Sequence, residues 1–424
     1  MPDGPLRIAL LVYRGNPHSG GQGVYTRELA KELVRLGHAV TVFSGQPWPE
    51  LTDGVDFVAV PSLDLYHPDH PFRPPLHPRA YRSWLDLLEV ALMSTGAFPE
   101  PLTFSLRARR LLARRRGDYD LVHDNQCLGR GIAGMIDDGW PVMATLHHPI
   151  TVDRALDLSH AETRRRKLGL RRWYSFLGMQ MRVLPRIPRI VTVSESSRRD
   201  ICAQMGARPE QVHIVPVGVD LDNFRPRPEV AEVPGRIVCT TSSDMPLKGL
   251  VPLLEAVAKL RTERPEVELH VIGGPRQGSA IPFHLSRLGL EEAVVFHKGI
   301  ESSAITQLYA ECQVACVPSL YEGFSLPAIE AMACAVPLVA TSGGALPEVV
   351  GPDGEAGLLV PPGDPEALAA ALGRALDDAG LRARIGQAGR ARVLERFTWG
   401  RCAEETVAHY RWAIADHARR AGAG

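Results

Sequence analysis

The chain has 424 residues, of which 45% are apolar and 23% charged. That length predicts two or three domains with sizeable cores. Its 48 basic and 48 acidic residues cancel, which argues against a protein that takes nucleic acid by bulk charge. The seven cysteines show no zinc-ligand spacing and read as small core thiols in a reducing compartment. No run is long and apolar enough to span a bilayer. The first strand begins too early for a signal-peptide core, so a cytoplasmic protein is expected.

Short apolar runs alternate with helical patterns from the start. Arg7 to Tyr13, Ala39 to Phe43, Phe57 to Val60, Leu121 to His123, Val142 to Leu146, Ile190 to Val193 and Val212 to Val215 are predicted strands. A helix is expected from Gly23 to Leu36, closed by Gly37. Pro216, Pro226, Pro228 and Pro234 then crowd residues 216–235, which read as a linker. Alternation restarts with strands at Arg236 to Thr240, Glu268 to Ile272, Val294 to His297, Val314 to Pro318, Pro337 to Ala340 and Gly357 to Val360. Helices are expected at Leu250 to Arg264, Ser303 to Ala310, Leu326 to Cys334, Pro365 to Asp377 and about Arg401 to Arg419. This pattern implies α/β architecture with parallel sheets covered on both faces. Two doubly wound, Rossmann-like domains across a cleft are expected, residues 1–215 and 236–397, with ligands beyond the carboxyl ends of the strands.

Several strand-to-helix turns carry chemistry. Gly20-Gly21-Gln22-Gly23 follows the first strand. Its glycines let backbone approach a ligand, although a flexible turn reads equally from them alone. It is not a dinucleotide fingerprint, because Thr26 stands where the last glycine belongs. His147, of Thr145-Leu146-His147-His148-Pro149, ends a strand and suits a sugar hydroxyl or phosphoryl oxygen; His148 is expected to pack. Lys248-Gly249 opens a helix, where a cation suits a diphosphate and a solvated lysine is the plainer reading. In Tyr321-Glu322-Gly323-Phe324-Ser325-Leu326-Pro327-Ala328-Ile329-Glu330, two carboxylates flank a helix start. Helix-start N–H groups attract anions, and carboxylates beside them suit the hydroxyls of a sugar or ribose attached to that anion. Glu348, after Gly343-Gly344, reads as a helix-start carboxylate.

In this order and spacing the motifs resemble family 4 of the retaining glycosyltransferases, which have the GT-B fold. The likeness also includes Val215 to Asp220, Phe224-Arg225-Pro226 and the closing helix after Trp399. It implies that residues 236–397 bind a nucleotide sugar of UDP or GDP type. Residues 1–215 would take the acceptor, and a last helix at 398–420 would pack back on them. Glu330 would hold the ribose and Glu322 the donor sugar's hydroxyls. Lys248 and backbone N–H groups from Gly323 through Leu326, around Phe324 and Ser325, would hold the diphosphate. Gly21 and Gly23 belong to the same donor set, and His147 would touch the transferring sugar. His147, Lys248 and Glu322 are thus the implied catalytic residues.

The resemblance further implies transfer to an acceptor hydroxyl with retained anomeric configuration. The departing diphosphate would take the acceptor's proton, with no metal and no cofactor beyond the donor. One departure stands out. An arginine usual before the lysine is absent from Ser242 to Leu247, leaving Arg14, Arg276 or backbone donors to replace it. The acceptor is less defined: a small molecule, a glycan or a lipid-linked group. Two basic clusters, Arg107 to Arg116 and Arg164 to Arg172, the second running into Trp173, Tyr174 and Phe176, suit peripheral contact with an anionic membrane at its inner face. Solvated helix faces are the alternative. An epimerase, a sugar phosphorylase or a non-catalytic sugar-nucleotide-binding protein remain competing functions.

Overall fold

Strands buried on both faces must be covered by helices on both sides, and a parallel sheet is what such crossovers build. The computed structural model describes residues 4–16, 21–67, 71–241, 246–276 and 278–422. Among them are two all-parallel sheets. The first contains β1 (Arg7–Val12), β2 (Ala39–Ser44), β3 (Asp56–Ala59), β4 (Leu121–Asn125), β5 (Val142–Thr145), β6 (Arg189–Thr192) and β7 (Val212–Ile214), in the order β3-β2-β1-β4-β5-β6-β7. The second contains β8 (Val233–Thr241), β9 (Glu268–Gly273), β10 (Val294–His297), β11 (Cys312–Val317), β12 (Leu338–Thr341) and β13 (Leu358–Val360), in the order β10-β9-β8-β11-β12-β13. Each order reverses once, between β1 and β4 and between β8 and β11. Those reversals open a crevice at the carboxyl ends of the strands.

The chain divides into two compact units. One comprises residues up to Val193, Ser197–Val215 and the segment from Trp399 onward; the other comprises Ser194–Ser196 and Pro216–Thr398. The stretch read as a linker clusters with the second unit. β8 starts at Val233, and Val219 donates its N–H to the Phe397 carbonyl at 3.0 Å. Side chains alternate across the second sheet: Ile237, Cys239, Leu269, Val271 and Cys316 pack into one core, Val238, Ile272, Ala315 and Val317 into another. All seven cysteines are free, six of them buried. Among the described residues, no helix is long and apolar enough to cross a membrane.

Some helices have no clear apolar period. Ala379–Arg396 buries Leu381, Ile385, Gly386, Gly389 and Val393. Two of its five inward positions are glycines, so the stripe is hidden from a hydrophobicity count. The arginines of Glu100–Ala113 are also not a free basic patch. Arg107 is buried and bonds Asp86 and Glu89 at 2.6 and 2.9 Å. Arg109 is bidentate to Asp138, and Arg110 lies over the Trp84 ring.

The last helix, Trp399–Gly422, lies in the first unit against Gly21–Arg35 and against β4, β5 and β6. Tyr410 makes the link polar. Its hydroxyl meets His123 Nδ1 at 2.7 Å, His123 Nε2 meets Thr145 Oγ1 at 2.7 Å, and Tyr25 shares that threonine at 2.9 Å. Burial lowers the His123 pKa to about 3, so the ring is neutral. Tyr410→Phe leaves a buried ring nitrogen without its partner. The substitution should cost about 1–3 kcal/mol, read as a lower urea midpoint with unchanged far-ultraviolet circular dichroism.

Candidate active site

In the first unit the polar residues gather where β1, β4 and β5 end. Gly21 and Gly23 begin the helix Gly21–Arg35. A Cβ on Gly23 would lie 1.7 Å from the Asn16 carbonyl oxygen, whereas one on Gly21 would meet nothing within 4 Å among the described residues. Gly23 is therefore required by packing, and Gly21 leaves its surface open. Gly20, the other glycine of this cluster, lies outside the described residues.

His147 is held from two sides. Asn125 Nδ2 donates to the Gln22 carbonyl and to Thr26 Oγ1, at 3.2 and 3.0 Å. That turns Asn125 Oδ1 toward His147 Nε2, 2.9 Å away. The proton consequently sits on Nε2, and Nδ1 keeps its lone pair. Gln126 accepts the His147 N–H at 2.8 Å and donates to the His148 carbonyl at 3.0 Å. Burial, and next the charge of His148, lower the His147 pKa to about 3. The imidazole is neutral at any ordinary pH. His148 instead pairs with Asp153 at 2.8 Å. Asn125, Gln126 and Thr26 escaped the sequence reading; the signal for the first two was a polar triplet ending an apolar strand.

In the second unit the corresponding turns follow β8, β11 and β12. Gly249 adopts φ +67°, and a Cβ there would lie 1.9 Å from the Pro318 carbonyl oxygen. The loops close further through Leu320 N–H to the Leu247 carbonyl at 2.7 Å and Ala345 N–H to the Glu322 carbonyl at 2.8 Å. This interlock brings Lys248 Nζ to 2.9 and 3.1 Å from the two Glu322 carboxylate oxygens. Ser319 Oγ donates to Glu322 Oε1 at 2.7 Å. Glu322 is buried and Lys248 mostly so. Ser319 is a further residue missed in the sequence.

The helix Leu326–Ala333 starts beside this pair. Its Ser325 cap accepts the Ala328 N–H at 3.4 Å. Gly323 accepts a hydrogen bond from Ser194 Oγ at 2.6 Å through its carbonyl, and the Phe324 ring packs edge-on against Phe397 at 5.7 Å. These residues, with Leu326, present backbone rather than functional side chains. Glu330 follows one turn later. Burial raises its pKa to about 7, and its carboxylate has no hydrogen-bond partner among the described residues. Glu348 accepts the N–H groups of Glu195 and Ser196 at 2.7 and 2.8 Å, so it caps backbone other than its own helix.

Arg14 is committed elsewhere: Nη2 reaches Glu100 Oε1 at 2.9 Å, and the guanidinium stacks over Tyr66 and Phe98. Arg276 is exposed in the loop after β9. The stretch Ser242 to Met245, where the usual arginine is missing, lies outside the described residues. Among those described, no group of three or more His, Cys, Asp or Glu residues could hold a metal ion.

Two Rossmann-like sheets of this order define the GT-B class. Comparison with known proteins agrees. Residues 20–218 match the glycosyl transferase 4-like domain, and residues 225–392 match the glycosyl transferases group 1 family. An MMP alpha-(1->4)-mannosyltransferase of Mycolicibacterium hassiacum is 50% identical over 411 residues, covering 97% of this chain and 99% of that protein. A D-inositol 3-phosphate glycosyltransferase of Kineococcus radiotolerans is 31% identical, with 98% of each chain covered. Sucrose-phosphate synthase from Thermosynechococcus elongatus shares the fold with a TM-score of 0.73 at 24% identity, covering 97% of this chain and all of that one. The chain belongs to family 4 of the glycosyltransferases and is a glycosyltransferase. This displaces the epimerase and binding-protein alternatives.

Two outcomes test the geometry. Gly23→Ala should lower the unfolding midpoint sharply, because its Cβ meets backbone, while Gly21→Ala should leave it unchanged. Glu330 sets a pH dependence. Its native pKa of about 7 exceeds the ordinary carboxylate value of about 4.3, so the folded state keeps a proton that the unfolded chain releases. Stability then falls as pH rises through that window. Ligand-free Glu330→Gln should match wild type in urea at pH 4 and outlast it at pH 8.

Proposed function

We propose that the chain transfers mannose from a nucleoside-diphosphate mannose of GDP or UDP type to an acceptor hydroxyl, with retained configuration. The observation that carries this is the Lys248–Glu322–Ser319 cluster at the start of the helix Leu326–Ala333, with the unpartnered carboxylate of Glu330 one turn on. The ammonium and the helix-start N–H groups take the diphosphate. Glu330 accepts the ribose hydroxyls, and Glu322 those of the sugar. Lys248 already holds Glu322, so an arriving diphosphate shares a cation whose position is set beforehand.

The sugar is chosen by the 50% identical relative named a mannosyltransferase. An α-(1→4) product from an α-linked donor is retention. In the assigned route the leaving diphosphate oxygen receives the acceptor's proton as the glycosidic bond breaks, and the acceptor oxygen bonds the anomeric carbon on the same face. Lys248 and backbone donors carry the developing charge, so the route requires no metal. Residues 216–397 are the donor domain in this reading, and residues 1–215 with the last helix are the acceptor domain. Gly21 is assigned to the diphosphate by backbone approach and His147 to the transferring sugar, as a neutral imidazole.

A peripheral contact with an anionic membrane rests on the helix Arg164–Trp173 alone. It buries no residue, and Arg164, Arg165, Arg166, Lys167 and Arg171 have no carboxylate partner among the described residues. Salt-sensitive flotation with anionic vesicles tests it.

The transfer is tested on purified protein. GDP-mannose or a UDP-sugar should raise the melting temperature by mass action. Lys248→Ala and Glu322→Ala should each lower turnover by about 100-fold or more while the circular dichroism stays native. Proton NMR of the product should show the α anomer, and chelator should leave the rate unchanged; a β product rejects retention. Gly21→Ala, which folds, should raise the donor KM.

A further inference from the structure

An aromatic cluster in the first unit takes no part in the site described so far. Tyr66 lies 5.2 Å from Phe98, 5.6 Å from Phe72 and 5.7 Å from Trp173, by ring centroids. Phe98 and Trp173 lie 5.1 Å apart at 30°, and Phe176 backs Phe98 from below. The lower rings are covered, with Phe176 8% exposed, but Phe72 is 58% exposed. Phe72 also has φ +60°. A bulky residue in that region is strained and persists where surrounding structure holds it. Here its N–H is bonded to the Leu65 carbonyl at 2.7 Å. The chain thus holds a strained backbone that leaves an aromatic ring in solvent.

The cluster stands at the carboxyl edge of the first sheet. Tyr13, directly after β1, packs against Phe98 at 6.4 Å. The Tyr13 hydroxyl faces the Gln22 side chain, and the Gln22 carbonyl receives Asn125, the residue that orients His147. The rings are therefore a few contacts from the residue assigned to the transferring sugar. Arg14, over Tyr66 and Phe98, is paired with Glu100, and Arg172 donates to the Thr95 carbonyl at 3.2 Å.

We infer that Phe72, Tyr66 and Trp173 form a stacking shelf for a neutral oligosaccharide acceptor, beyond the sugar unit that receives the transfer. Aromatic faces carry negative quadrupole density and favour the weakly positive C–H face of a pyranose ring. The Arg14–Glu100 pair offers donors and acceptors to its hydroxyls, in the usual form of an aromatic site with a few placed polar groups. The inference rests on the first unit being the acceptor domain.

The test is calorimetric binding of wild type and variants to a panel of neutral gluco- and manno-oligosaccharides of increasing length. Wild type should bind at least one, more tightly with length. Phe72→Ala and Trp173→Ala should weaken that binding at least tenfold and raise the acceptor KM alike, while kcat and the GDP-mannose thermal shift stay as in wild type. Phe72→Tyr should restore binding. Phe72→Gly relieves the backbone strain, so it should fold at least as well as wild type and still lose the glycan. Binding of no neutral oligosaccharide, binding untouched by both truncations, or association with anionic vesicles alone would overturn the shelf. Failure of the donor reading appears separately, as a wild type that no nucleotide sugar stabilises.

Discussion

The second unit's chemistry depends on one close backbone approach. The Pro318 carbonyl occupies the space where any side chain on residue 249 would begin. That contact lets the loop after β8 and the loop after β11 share hydrogen bonds, and so sets Lys248 against Glu322. Removing both charges from water is costly. The two Lys248 contacts and the Ser319 hydroxyl offset the cost only because each lands within hydrogen-bond distance. The pair is better understood as a positioned cation than as a source of stability.

The two units treat their ionisable groups in opposite ways. In the first, buried His123 and half-buried His147 have their pKa values lowered chiefly by desolvation and are neutral. The His123 nitrogens meet the hydroxyls of Tyr410 and Thr145, and His147 Nε2 donates to Asn125 Oδ1. In the second, Glu330 is half-buried with no hydrogen-bond partner among the described residues and resists ionisation, while Glu322 accepts from Lys248 and Ser319. Two glutamates eight positions apart thus sit in unlike environments.

Arginine is where local sequence misleads most. The run from Arg107 to Arg116 has the composition of a basic patch, yet Arg107 and Arg109 face carboxylates and Arg110 covers an indole. Arg14 was a candidate from sequence to replace a missing diphosphate cation, but Glu100 and two aromatic rings claim it. Only tertiary packing brings Asp86, Glu89 and Asp138 to those guanidinium groups. The same packing gathers Tyr66, Phe98 and Trp173, more than a hundred positions apart at the extremes, into one cluster.

The strand–helix alternation and the class of fold were readable along the chain, because buried parallel strands leave short apolar runs, and candidate turns could be picked where those runs end. Lys248, His147, Glu322 and Glu330 could be named on that ground. Their partners could not. Asn125, Thr26 and Ser319 are ordinary polar residues until the strand order places them beside His147 and Glu322. Helices with glycine on the inward face, such as Ala379–Arg396, also stayed hidden, since a missing side chain adds nothing to a hydrophobic pattern. Sequence determined which groups exist and on which turns. Protonation, pairing and exposure were decided by the fold, because each depends on distances between residues that the chain does not place side by side.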